Sequence, residues 1–453
     1  MGATARRSHY KSRRSSRATC VVESARADQY TWHSEMAEVE ISAMTFGPFG
    51  VGHRDGKAVM VAHSVVGDRV EVAPVSERRD YSVAKIREII RASTDRRGAP
   101  CPYLPRCGGC DWQHIEYAAQ VRFKGEVIAR ELGHALDIAD LIDAQNLVEP
   151  APAEFGYRSR IRLKVGPHGV LGFHEFGTNA IVEIDSCMVA DAGIRMPLHL
   201  ARSLGKRVEE IEVIRDGARE VQVAYLKKPA SEEDLRRARN VLESDPEIRG
   251  IVLRSGASRE TLGETAITVE LEAGLSIEVD ADLFSQVNRA QNMRLVATVM
   301  EMASIKESAP VLDLYCGAGN FSIPASWRGG RVTGVDAEAG AVAAAVRNAA
   351  RLKFRDAQFI AMKASETADF LHRARYRPEV VILDPPRTGA ADLMEAIAKL
   401  RAPRIVYASC DVTTLARDLA TLARAGYKLE RVRGFDFFPN THHVEIAASA
   451  LLT

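Results

Sequence analysis

No apolar run in this 453-residue sequence approaches the roughly 20 residues a helix needs to cross a bilayer, so no membrane contact is expected. Cysteine is scarce as well. The seven present are an odd number with Cys20 isolated, which is unlike a secreted disulfide framework and fits a reducing cytoplasm. Net charge is nearly absent, at +1, which argues against wholesale binding of polyanions. Internal repeats and extended low-complexity segments are missing too. What remains, 46% hydrophobic and 27% charged residues, is the composition of a soluble globular chain whose length predicts about three domains.

The positive charge is unevenly placed. Arg6, Arg7, Lys11, Arg13, Arg14 and Arg17 fall near the start with no acid among them, and residues 1–35 are expected to form a basic, disordered tail. An organellar transit peptide, or a true start at Met36, would give the same pattern. Residues 36–92 alternate apolar and polar side chains in short runs broken by Gly47-Pro48, Asp55-Gly56 and Gly67-Asp68. That rhythm predicts a small TRAM/OB-like β-barrel. Arg78, Arg79, Lys85, Arg87 and Arg91 make one flank of it basic, either an RNA-contacting surface or a solvated strand edge.

Residues 93–279 begin with a turn-rich, cysteine-bearing stretch, continue through a helical pattern over about 115–136, and become β-rich, predicting a central α+β domain. Within it, a strand over 157–164 would put Arg158, Arg160, Arg162 and Lys164 on one face and Tyr157, Ile161 and Leu163 on the other. Four like charges on one face repel one another unless an anion lies across them, so this face is expected to contact phosphate.

From 280 to 453 apolar strands alternate with helical stretches: Val311–Leu314, Val332–Val335, Val380–Leu383 and Ile405–Tyr407. The pattern predicts a doubly wound α/β domain with a mostly parallel sheet. The first of these strands runs into Tyr315-Cys316-Gly317-Ala318-Gly319-Asn320, a glycine turn that lets backbone approach a ligand. A dinucleotide fingerprint would need a third glycine, and Ser322 occupies that region instead. Asp336 ends the next strand, where an acid accepts hydrogen bonds from ribose hydroxyls. Asp384-Pro385-Pro386-Arg387 follows Val380–Leu383, read as the fourth strand of the sheet, and Ser409-Cys410-Asp411 follows Ile405–Tyr407, read as the fifth, which places a carboxylate and a thiol on neighbouring strand ends. Such a sheet suits S-adenosylmethionine. A thiol beside that donor suggests covalent attack, which carbon 5 of a pyrimidine needs because it is a poor nucleophile until something adds at carbon 6.

Together with Phe284-x-Gln286-x-Asn288 and His443-Val444-Glu445, these motifs resemble the RNA uracil-5-methyltransferases that act on transfer RNA and large-subunit ribosomal RNA. The resemblance runs through the last third of the chain in order. Tyr157-Arg158-x-Arg160 and Cys107-Gly108-Gly109-Cys110-x-x-Gln113-His114 extend it upstream. It implies that Gln286, Tyr315, Asn320, Asp336 and Asp384 contact S-adenosylmethionine, that Cys410 is the nucleophile and that Glu445 is the base removing the carbon-5 proton. Arg387 stands where amine methyltransferases carry an aromatic residue, and no second cysteine follows the prolines as in cytosine-5 RNA enzymes.

Cys101, Cys107, Cys110 and the distant Cys187 supply four thiols, able to hold zinc or an iron–sulfur cluster. On spacing alone zinc is the commoner outcome; the family resemblance implies a [4Fe–4S] cluster and, with the barrel, 23S ribosomal RNA as the substrate. No obligate protein partner is evident. Transfer RNA uracil-5 methylation, cytosine-5 methylation, and a non-catalytic RNA-binding or assembly factor are the competing readings.

Overall fold

The computed structural model describes residues 37–138, 142–373 and 376–453, so the expected basic tail and Cys20 lie outside the described residues. Strands β1 (Ala37–Met44), β2 (Phe49–Arg54), β3 (Lys57–Ala62), β4 (Arg69–Glu77) and β5 (Tyr81–Arg91) close a barrel in the order β1-β2-β3-β5-β4. Period-two alternation explains it: Val39, Ile41, Val59, Val61, Val70 and Val72 point inward and fill the barrel. The expected basic flank is exposed at Arg78, Arg79, Lys85, Arg87 and Arg91. Asp68, fully buried, anchors the barrel to the segment after it by accepting from Ser93 N (2.9 Å) and pairing with Arg96 (2.5 Å).

The segment 93–279 contributes to more than one core. Helix α1 (Tyr117–Gly133) and the two-residue strand β6 (Val148–Glu149) pack Val127, Ile128, Leu132 and Val148 against the C-terminal sheet. The remainder forms a seven-stranded sheet from β7 (Arg160–Val165), β8 (Leu171–His174), β9 (Ile181–Glu183), β10 (Val208–Asp216), β11 (Arg219–Leu226), β12 (Ile248–Ser255) and β13 (Ser258–Gly263), in the order β13-β12-β11-β10-β7-β8-β9. A hairpin of β14 (Ala266–Glu272) and β15 (Leu275–Asp280) leads into the last third.

The structure corrects the expectation of a four-cation face. Strand β7 begins only at Arg160, and its neighbour β10 brings Glu210 opposite Lys164 and Glu212 opposite Arg162. Arg160 is buried and lies 3.2 Å from Glu212; Arg162 reaches Glu212 at 3.1 Å, and Lys164 pairs with Glu210. Like-charge repulsion is relieved by carboxylates from the adjacent strand, so the charge pattern of β7 does not require a phosphate.

The last third follows its predicted pattern. Strands β16 (Pro310–Leu314), β17 (Arg331–Asp336), β18 (Gln358–Ala361), β19 (Val380–Leu383), β20 (Arg404–Ser409), β21 (Tyr427–Phe435) and β22 (Glu445–Leu452) form, with β6, a sheet ordered β18-β17-β16-β19-β20-β22-β21-β6. The β18-to-β20 half is parallel, and its inner strands β16, β19 and β20 are buried on both faces, which is why they read as unbroken apolar runs. Strand β22 then enters antiparallel between β20 and β21.

Candidate active site

In a parallel sheet with helical crossovers, ligands gather beyond the carboxyl ends of the strands, and the sequence delivers chemistry to four adjacent ends here. Tyr315 follows β16, Asp336 closes β17, Asp384 follows β19 and Cys410 follows β20. The turn after β16 is tight: Tyr315, Gly317 and Gly319 all have positive φ (62°, 54° and 102°). A side chain on Gly319 would also meet Ile323 Cγ1 at 2.8 Å.

This turn forms one wall of a cavity that Gln286, Tyr315, Asn320 and Asp384 line together, with Phe284 at its rim, 78% exposed. Four of the five residues expected to hold the donor are thus brought together. Asp336 stands beside rather than in the lining: one carboxylate oxygen accepts from Gly317 N at 2.9 Å and the other from Glu338 N at 2.8 Å, so it holds the glycine turn in shape. Asn292, which no sequence motif singled out, exchanges hydrogen bonds with Asn320 (2.9 and 3.1 Å) and fixes its amide. Cys316 also lines the cavity, buried, its thiol pushed up by desolvation and by Asp313 and Asp336.

Register brings the thiol and the distant carboxylate together. Strand β20 pairs with β22 through Ser409 opposite Ile446, so continuing that ladder by one residue sets Cys410 against Glu445. The two interact electrostatically, and Asp384 and Arg387 act on both. Burial pushes the Cys410 thiol up to about 12, with Glu445 adding to the shift and Arg387 opposing it. Glu445, 5% exposed, is held well above the usual carboxyl range by burial and then by Asp384; burial raises Asp384 itself to about 7. Asp411 accepts from Thr413 N and Thr414 N, both 3.0 Å, capping the helix Val412–Arg424 and fixing the chain immediately after the thiol.

Arg387 and His443 are the residues that sequence reasoning missed as parts of this centre. The guanidinium of Arg387 lies 3.4 Å from His443 Nε2, and burial, His442 and Arg387 push His443 down to about 3, which keeps its imidazole neutral. Their signal was present, since both sit inside motifs shared with the family, but their contact spans 56 residues of sequence.

The four cysteines also converge. Cys101, Cys107, Cys110 and Cys187 line a single cavity with Tyr103 and Arg158, and all four are free thiols. Burial pushes Cys107, Cys110 and Cys187 up, Cys110 to about 12. Among the described residues, no three His, Cys, Asp or Glu side chains are gathered closely enough for one metal ion. Four sulfurs around a single zinc would stand roughly 4 Å apart, given Zn–S distances of about 2.3 Å.

A sequence profile of the family described as tRNA (Uracil-5-)-methyltransferase matches residues 199–452. The 23S rRNA (uracil(1939)-C(5))-methyltransferase RlmD of Thiobacillus denitrificans is 32% identical over 428 residues, covering 90% of this chain and 98% of that protein. The protein of the same name from Hahella chejuensis is 30% identical, covering 91% and 97%. An uncharacterized RNA methyltransferase of Thermotoga maritima is 31% identical, covering 91% and 98%. In fold, the chain matches the crystal structure of Pyrococcus abyssi tRNA (uracil-54, C5)-methyltransferase in complex with S-adenosyl-L-homocysteine, with a TM-score of 0.70 and 24% identity over 92% of this chain and 100% of that one. A glycine turn, a buried carboxylate and a thiol at adjacent strand ends, on a chain with these relatives, make the protein a member of the RNA uracil-5-methyltransferase family.

Proposed function

We propose that this enzyme methylates carbon 5 of one uridine in 23S ribosomal RNA, using S-adenosylmethionine and a transient covalent bond between Cys410 and carbon 6 of the base. The observation that carries the reading is the convergence of Cys410 and Glu445 across the β20–β22 ladder, beside the cavity lined by Gln286, Tyr315, Asn320 and Asp384. The donor, bound in that cavity, supplies an electrophilic methyl group. Gln286 and Asn320 offer amides to it, and the glycine turn after β16 leaves backbone groups accessible.

Cys410, as thiolate, adds to carbon 6, which makes carbon 5 nucleophilic toward the methyl group. Arg387 favours that thiolate. Glu445 then takes the proton from carbon 5; a carboxylate with a raised pKa is a stronger base than an ordinary one once ionised. Loss of that proton restores the carbon 5–carbon 6 double bond and expels Cys410. Because the reacting atoms lie in the base plane, the uridine must be presented unstacked, in a loop or flipped out.

Cys101, Cys107, Cys110 and Cys187 are proposed to hold a [4Fe–4S] cluster. The donor set supports this: four free thiols line one cavity. When bound it would order the loop 101–110. Ribosomal rather than transfer RNA is favoured by the 23S rRNA enzymes that align over nine-tenths of the chain at 30% and 32% identity.

The test is to map 5-methyluridine in all RNA of a strain lacking this protein. Loss at one large-subunit position is expected; loss in transfer RNA instead would reassign the substrate, and an unchanged map would remove the activity. In purified protein, Glu445→Gln should lower product release by about 100-fold or more while Cys410–RNA adduct accumulates, and Cys410→Ala should form neither product nor adduct.

A further inference from the structure

The cysteine-bearing loop grips the segment that ends at the catalytic carboxylate. Asp111, next to Cys110, accepts from His442 N at 3.0 Å and from His442 Nδ1 at 2.5 Å. Trp112 N donates to Asn440 O at 2.9 Å. Asn440 is fully buried in the left-handed region (φ 69°), and every polar group it has is taken: its N–H donates to Gln120 Oε1 (2.7 Å), its Nδ2 to Glu154 O (3.1 Å), and its Oδ1 accepts from Arg97 (3.1 Å). Arg97 in turn donates to Gln113 O at 2.9 Å.

A second set of contacts runs from the thiol cavity itself. Arg158, part of its lining, lies 5.3 Å over the ring of Phe438, and Tyr157 donates to Pro439 O at 3.1 Å. On the far side, the His442 and His443 rings stand 4.0 Å apart and His443 meets Arg387, which acts on both Cys410 and Glu445. Residues 437–444 have no strand partner of their own between β21 and β22, so their shape is set by these contacts together with those from Lys124 Nζ to Phe438 O (3.1 Å) and Asn288 Nδ2 to Phe437 O (3.1 Å).

We propose that Asp111 is a positioning residue: through His442 it transmits the order of the four-cysteine loop to the 437–444 segment and so to the placement of Glu445. The inference rests on the reading of Glu445 as the base. If it is right, releasing the segment leaves Cys410 able to attack but impairs the proton removal that frees it, so the protein stalls as a covalent RNA adduct. A merely structural role would lower adduct and product together.

The test uses the full chain as wild type, Asp111→Ala, Asp111→Asn and Cys110→Ser. Hydrogen exchange of the amides in 437–444 is read by mass spectrometry, and unmodified large-subunit RNA transcript is used to measure released 5-methyluridine against adduct retained on a denaturing gel. Asp111→Ala and Cys110→Ser should speed exchange of the segment at least tenfold, leave β16 and β19 protected, and raise the adduct-to-product ratio at least fivefold. Asp111→Asn, which keeps an oxygen for His442 N, should be milder and carries the test if Asp111→Ala loosens the whole protein. Unchanged exchange in the Asp111 variants, or faster exchange with an unchanged ratio, overturns the proposal; unchanged exchange in Cys110→Ser alone overturns its link to the cysteines. Should wild type form no 5-methyluridine, the functional reading fails, while the exchange data still decide whether the loop holds the segment.

Discussion

Lys124 on α1 places its ammonium 2.6 Å from the carboxylate of Asp436, 312 residues later, with both side chains wholly removed from solvent. The same ammonium donates to Phe438 O at 3.1 Å, so one cation closes the end of β21 and the start of the segment leading to Glu445. Stranding a buried charge is far costlier than removing a matched pair. Lys124→Met should therefore destabilise the protein by about 3–5 kcal/mol in urea unfolding, and the double change Lys124→Met with Asp436→Leu should cost less than Lys124→Met alone.

The Cys410 thiol, pushed up to about 12 mainly by burial, is protonated in the resting protein at neutral pH. Its alkylation by iodoacetamide should rise about tenfold per pH unit between 7 and 9, since only the thiolate reacts. Arg387 favours the thiolate, so Arg387→Gln should move that profile to higher pH. Peptide mapping of the labelled thiol gives both results.

Asp313 lies fully buried beneath the glycine turn, accepting from Ser322, and burial raises it to about 7. A carboxyl whose folded pKa exceeds its unfolded value of about 3.9 binds a proton in the native state that the unfolded chain has lost, so its stabilising contribution fades as pH rises. The window runs from about 4 to 7. Across it, the stability of Asp313→Asn relative to wild type should climb, by about 4 kcal/mol, in denaturant titrations at stepped pH.

The carboxylates facing β7 change which cations should matter for RNA. Arg162→Ala with Lys164→Ala should leave the salt dependence of RNA binding nearly unchanged, because Glu210 and Glu212 already neutralise them. Lys85→Ala with Arg87→Ala, on the exposed barrel flank, should lower the slope of log affinity against log salt by about 1 per residue removed. Filter binding over a salt series distinguishes the two pairs.

What the sequence disclosed depended on the range of the signal. The parallel strands were legible at 311–314, 332–335, 380–383 and 405–407 because strands buried on both faces leave unbroken apolar runs, and they are observed within two residues of those bounds. The barrel was legible because inward valines alternate along 37–72. Pairings between distant segments were not. Nothing local to β7 announces Glu210 and Glu212 across the ladder, nothing in α1 announces that it packs on the C-terminal sheet, and Asp111 and His442 are 331 residues apart. Residues lining the cavity were legible where a motif carried them, and Asn292, one turn inside a helix, was not, because its work is to hold Asn320.

Strand β22, which opens with Glu445, slots between β20 and β21, both synthesised earlier. Until residue 452 has emerged during translation, those two strands have no partner between them, and the thiol faces a gap where the carboxylate will sit. Insertion of β22 therefore closes the sheet and sets Glu445 beside Cys410 in one event.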